Sequence, residues 1–203
     1  MSRQRILVWD WPVRLGHWLM VAGFAVAWLT SESERLALVH AAAGAVVPAV
    51  IVFRLAWGLL GTRYACFADF VRGPRAVAAY LRSLLGPLPE HHIGHNPAGG
   101  WAILALLVLG GGIGGTGYAI FQDWGGHALE EAHEALAALM LAVVAGHVAG
   151  VVASSRLHRE NLVRAMVDGH KEGAPDEAIA SARPLVAVAL LAWVAAAGWW
   201  VVA

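Results

Sequence analysis

Long apolar runs alternate with shorter polar links along this chain. The runs cover residues 13–30, 36–60, 98–121, 132–153 and 184–203. As helices rising ~1.5 Å per residue, they are of a length to cross the ~30 Å hydrocarbon core of a bilayer. In such a core every backbone polar group must be satisfied within the segment, so the runs are read as five membrane helices. Local signals agree. Asp10 and Pro12 suit the first turn of the first helix, and Asn96 with Pro97 supplies a cap and a first-turn proline for the third. Basic residues ahead of the first run raise the question of a cleaved signal peptide. The preceding VWDWPVR is too structured for one, and the run is long enough to span, so an uncleaved first span is expected. Between the second and third runs, RAVAAYLRSLLG predicts a short amphipathic helix along the membrane surface.

Composition narrows the class. The chain is 59% hydrophobic and 14% charged, and many of its ten tryptophans lie near the ends of apolar runs, as interfacial anchors do. Its formal charge is zero, so nothing points to nucleic acid. Cys66 is its one cysteine, which excludes an internal disulfide and a CxxCH attachment site for a c-type haem. The distribution of charge fixes an expected orientation. Thirteen of the fourteen lysines and arginines fall on the N-terminal side, and only Arg35 falls opposite. The positive-inside rule then predicts a cytoplasmic N-terminus and an outer C-terminus.

Ionisable groups inside membrane spans are costly and mark function. Four of the ten histidines sit in or at the ends of apolar runs: His17, His40, His133 and His147. His133 and His147, fourteen residues apart, lie on nearly one helical face and ~21 Å apart along its axis. By the expected topology His17 shares the inner level with His147, and His40 shares the outer level with His133. Each pair joins the fourth helix to a different partner, which is how a four-helix bundle holds cofactors between facing helices. Facing neutral imidazoles suit haem iron. Gly44, Gly146 and Gly150, close to these histidines, offer room for a flat macrocycle, and GGGIGGTG in the third run is either such a wall or a close-packing stripe. Arg14, Arg35 and Arg54 are candidate partners for haem propionates, with ordinary interfacial snorkelling as the competing role.

Other chemistry is weaker. HEALA approaches the zinc-protease HExxH, but Ala137 stands where the second histidine belongs. No nucleophile motif or phosphate loop occurs. A haem-free proton relay or transporter that uses the same histidines by titration remains the alternative of another class.

Several stretches together carry a resemblance: VWDWPVRLGHW, LVHAAAGAVVPAVIVFRLAWGLLGTRYACFADF, GHNPAGGWAILALL, EEAHEALAALMLAVVAGHVAGV and SSRLHRENLVRAMVDGHKE. Over roughly residues 8–172 the chain resembles bacterial cytochromes of the b561 type, including the b-type cytochrome subunits of nickel–iron hydrogenases. The resemblance implies two haem b groups, one held by His17 and His147 and the other by His40 and His133. It implies electron transfer between the membrane quinone pool and a redox protein, either a c-type cytochrome or a hydrogenase-like subunit that this chain would anchor. His95, within GHNP, is a candidate for an inner quinone pocket. The expected architecture is an all-α membrane protein. It has a four-helix di-haem core over residues 1–155, a cytoplasmic connection over 156–183 and a fifth transmembrane helix over 184–203. The expected setting is the bacterial inner membrane and its lipid.

Overall fold

A computed structural model describes residues 3–203. It begins with a short strand, β1 (Gln4–Leu7), followed by α1 (Trp11–Thr30), α2 (Ala37–Leu60), α3 (Phe67–Phe70), α4 (Pro74–Ser83), α5 (Pro97–Phe121), α6 (His127–Leu157) and α7 (Leu162–Asp168). A second strand, β2 (His170–Gly173), precedes the last helix, α8 (Pro184–Val202). Five of the helices are long and apolar enough to cross a membrane: α1, α2 with its preceding turn, α5, α6 and α8. The protein is a mostly helical, multi-pass membrane bundle.

The helices start where the caps require. The Asp10 carboxylate accepts a hydrogen bond from Val13 N at 2.8 Å, and the Asn96 side chain accepts one from Gly99 N at 2.7 Å. Each satisfies a first-turn amide that the helix itself leaves without a partner. α4 coincides with the amphipathic segment read from the sequence. α6 runs further at both ends than its apolar stretch. At ~1.5 Å per residue its 31 residues exceed the hydrocarbon thickness, so its polar ends project beyond the membrane.

Packing is tightest on one side of the bundle. Leu190 and Val194 of α8 are buried against Ala49 and Val50 of α2, with Leu15 and Leu19 of α1 alongside. The Trp193 indole N–H donates to the Ala49 carbonyl at 2.8 Å. The fifth span is thus part of this chain's own bundle. α5 meets α2 through glycine: a Cβ on Gly114 would stand 2.8 Å from Pro48 Cβ, and one on Gly110 would stand 2.7 Å from Ile51 Cδ1. At these two positions the GGGIGGTG stripe serves close helix packing. α6 behaves differently. Only Met140 along its length is buried, and it lies beside α5.

The ends of the bundle are unlike. Short links close one end. At the other, β1 and β2 form an antiparallel ribbon pairing Gln4 with Gly173 and Leu7 with His170. The Tyr64 hydroxyl donates to the Glu177 carbonyl at 2.7 Å. The N-terminus and the two basic connections therefore share one face, as the charge pattern requires. The ribbon was not expected from the sequence, which reads as all helix; in its two four-residue strands apolar and polar residues do not alternate. The segment 156–183 is accordingly more than a link. It carries α7 and β2, and Ala165 and Ile179 from it are buried with Ile6, Val8 and Trp9.

Candidate functional site

All four intramembrane histidines are half-buried in the bundle. The outer level is the better defined. The rings of His40 on α2 and His133 on α6 face each other with centroids 6.2 Å apart and planes at 68°. A metal ion about 2.0 Å from one nitrogen of each ring needs ring centres roughly 6 Å apart. The pair thus has the spacing of two axial ligands.

Hydrogen bonds fix which nitrogens face inward. His40 Nδ1 lies 2.8 Å from the Ala27 carbonyl, which only accepts, so Nδ1 carries the proton and Nε2 keeps its lone pair. Thr116 Oγ1 lies 2.9 Å from His133 Nδ1, and also within reach of the Gly112 and Ile113 carbonyls, at 2.9 and 3.1 Å. Its single hydroxyl proton goes to those carbonyls, so the oxygen accepts from His133 Nδ1–H. Both rings are left with an Nε2 lone pair and a partner at Nδ1, an arrangement that suits a metal-binding histidine. Thr116 was not singled out in the sequence. It is the one hydroxyl within the glycine stripe, and seventeen residues of chain separate it from the ring it orients.

At the expected inner level, His17 stands on α1 and His147 on α6. His17 packs edge-on against Trp18, with centroids 5.1 Å apart. Trp18 Nε1 donates to the Met166 carbonyl at 3.2 Å, and the Arg14 guanidinium donates to the Val167 carbonyl. The end of α7 therefore grips the turn of α1 that carries His17. Asp10, fully buried, accepts from Trp57 Nε1 at 3.0 Å and Thr62 Oγ1 at 2.7 Å, which ties the start of α1 to the end of α2.

Space and charge fit a haem at both levels. A Cβ placed on Gly44, beside His40, or on Gly146 and Gly150, flanking His147, would meet no atom within 4 Å. The arginines divide by surroundings. Arg54 is buried beneath the inner level, its guanidinium 4.9 Å from the Phe67 ring centre and 5.7 Å from that of Phe70, and its Nη1 has no partner. Such a buried donor is costly unless an anion meets it, and a propionate would. Arg14 sits 4.1 Å over the Trp11 ring with its Nε unpartnered. Arg35 is exposed at the far end, five residues before His40.

His95 lies at the floor of a cavity of about 500 Å³ on the basic face. Its ring is wedged between Trp9 and Phe70, at 4.5 and 4.7 Å, and its Nδ1 is shielded from water and has no partner. Burial pushes the imidazole down to about 3, reinforced by the charges of Arg54 and Lys171, so it is neutral at physiological pH. Among the described residues no group of three or more His, Cys, Asp or Glu could hold a metal ion.

Residues 8–169 match the model of a family described as prokaryotic cytochrome b561. The chain belongs to that family. It is a cytochrome of the b561 type, with five helices long and apolar enough to cross a membrane. Curated relatives include the probable Ni/Fe-hydrogenase 1 B-type cytochrome subunits of Escherichia coli strain K12 and of Escherichia coli O157:H7. Each is 27% identical over 149 residues, which covers 60% of this chain. The match spans 63% of the length of each of these relatives. No solved structure matches the chain.

Proposed function

We propose that this cytochrome holds two haem b groups, one per histidine level, and passes electrons through the bilayer between quinone and a redox protein. His40 and His133 would ligate the outer haem, His17 and His147 the inner one. The observation that carries the reading is the facing of His40 and His133 at 6.2 Å with both Nδ1 atoms already engaged. Ligand levels separated by ~21 Å along α6 give two stepping stones across a core of ~30 Å. Bound haem supplies a one-electron couple at each level.

The protein's own part is orientation, burial and charge. Ala27 and Thr116 hold the outer rings, while α7 holds the turn bearing His17. Arg54, and with it Arg14, would take inner propionates, and Arg35 would take outer ones. We place quinone exchange at the inner end, where the neutral His95 offers an unshared Nδ1 between two aromatic rings. The basic face is the cytoplasmic one on this reading, with the C-terminus outside and the inner membrane of a bacterium as the setting. Residues 1–155 would form the di-haem core, joined through 156–183 to the fifth helix at 184–203.

A second reading is favoured by the relatives. Both are named as subunits associated with a hydrogenase, so the redox partner would be a hydrogenase-like enzyme that this chain anchors, in place of a soluble c-type cytochrome. The deciding experiment is a reduced-minus-oxidised visible spectrum of the purified chain with haem quantified per polypeptide, followed by reduction with a short-chain quinol. Two low-spin b haems reduced by quinol support the proposal. Protein free of haem after expression with ample haem supply overturns it in favour of a histidine proton relay.

A further inference from the structure

The cavity above His95 has walls of a different character from its floor. Arg3, Arg63 and Arg72 line it, with Tyr64 and His92. Its carboxylates are already engaged. Asp69 Oδ1 lies 3.9 Å from Arg63 Nε, and Glu177 Oε2 accepts from Ala174 N at 2.8 Å. The donors are not used up. Each of Arg3 and Arg72 shows a single bond to a backbone carbonyl, to Glu172 O at 2.9 Å and to Asp69 O at 2.6 Å. The Arg63 side chain is 59% exposed, and His95 Nδ1 is shielded from water and has no hydrogen-bond partner. Donors and positive charge thus exceed acceptors around about 500 Å³ of space.

The cavity is lined by Ala174 and Glu177, just beyond the ribbon, and by Pro97 at the start of α5. Trp101 on α5 is half exposed and donates from its indole to the Arg72 carbonyl at 2.8 Å, the posture of an interfacial anchor. Guanidinium groups meet phosphate oxygens in pairs, and basic recesses at this depth take lipid headgroups.

We propose that this cavity binds a phosphate group, with Arg63 and Arg72 as its principal donors and Arg3 closing over it from the ribbon. The ligand is either the phosphodiester of an anionic lipid or a free phosphate. The site shares its cavity with His95 but draws its donors from Arg3, Arg63 and Arg72, and its occupancy can be read without any redox step.

The test uses the full chain in detergent and two probes, phosphatidylglycerol and inorganic phosphate. Native mass spectrometry counts retained phosphatidylglycerol against phosphatidylcholine, and thermal unfolding is followed with phosphate against chloride at equal ionic strength. Wild type is expected to retain phosphatidylglycerol selectively or to be stabilised by phosphate. Arg63→Gln and Arg72→Gln are each expected to weaken binding by about tenfold. Arg156→Gln, on the same basic face but away from the cavity, is expected to leave it unchanged. Retention of lipid that phosphate cannot displace identifies a headgroup site, whereas displacement together with phosphate stabilisation identifies a free-phosphate site. The proposal is overturned if neither probe binds selectively, or if Arg156→Gln weakens binding as much as Arg63→Gln does.

Discussion

The two histidine levels are built by different means. At the outer level the supporting groups lie within the membrane helices: the Ala27 carbonyl of α1 holds His40, and the Thr116 hydroxyl of α5 holds His133. At the inner level the support comes from outside the membrane. Arg14 and Trp18, on either side of His17, are tied to carbonyls at the end of α7, and Gly169 just beyond accepts from Val8 and Trp9 N–H at 2.9 and 3.0 Å. The outer site therefore depends on bundle packing alone. The inner site depends also on the fold of an extramembrane cap. Two sites of the same chemistry on one helix thus differ in what can perturb them.

The largest effects should come from the ligands. His147→Ala is expected to remove the inner haem and bring haem content to about half, with the outer signal retained. Pyridine haemochrome quantification reads this directly, and unchanged content would break the pairing.

Next comes the cap. Lys171, with 2% of its side chain exposed, pairs with Glu160 at 3.1 Å, and His91 Nε2 reaches the same carboxylate at 3.4 Å. Burial pushes the Glu160 carboxyl up, but the hydrogen bond from His91 and the charge of Lys171 outweigh it and hold it below its ordinary value of 4.5. A carboxyl with a depressed value in the folded state stabilises above its unfolded value and loses that contribution as pH falls through the folded one. The cap should therefore loosen below about pH 4.5, and the inner haem should be lost before the outer. Glu160→Gln leaves Lys171 buried without a counter-charge, at a cost of about 3 kcal/mol. It should weaken the cap at neutral pH and flatten that part of the acid profile. Thermal release of each haem, followed spectrally at several pH values, checks both. Equal loss from the two levels would contradict the division.

A smaller effect is expected in the opposite direction at Thr116. Thr116→Val keeps the shape but removes the acceptor for His133 Nδ1–H, and losing such a partner lowers ligand affinity by about 10- to 100-fold. The outer haem alone should become labile in a competition assay with apomyoglobin. Smallest is Trp18→Phe, which deletes one exposed hydrogen bond worth about 1 kcal/mol. It should lower the release temperature of the inner haem by a few degrees and leave the outer one unmoved.

Much of this arrangement was legible in the sequence, for identifiable reasons. Apolar runs of membrane length have a single solution, so the five spans followed from hydropathy, and α8 ended one residue from its expected limit. Helical periodicity and the distribution of arginines sorted the four histidines into levels, and the structure sets the rings of His40 and His133 facing each other. What stayed hidden depends on distant contacts. Nothing local marks Thr116 as the partner of a ring on another helix. Asp10 was legible only as an acidic residue at the start of the first helix; it caps that helix, and its second oxygen also gathers Trp57 and Thr62 from the end of α2. The ribbon joins residues more than 160 positions apart through two four-residue strands, QRIL and HKEG, in which apolar and polar residues do not alternate. The glycine stripe allowed two readings because small residues serve packing and cofactor clearance alike. Only the approach of Pro48 and Ile51 assigns Gly114 and Gly110 to packing.

The central claim is that the four histidines form two independent sites, and haem counting in paired double variants tests it most directly. His40→Ala/His133→Ala and His17→Ala/His147→Ala should each retain one low-spin haem per chain, with reduced spectra that sum to that of wild type. His40→Ala/His147→Ala should retain none. If that cross-level variant kept one bis-histidine haem, or if the same-level variants lost both, the assignment of histidines to levels would be wrong.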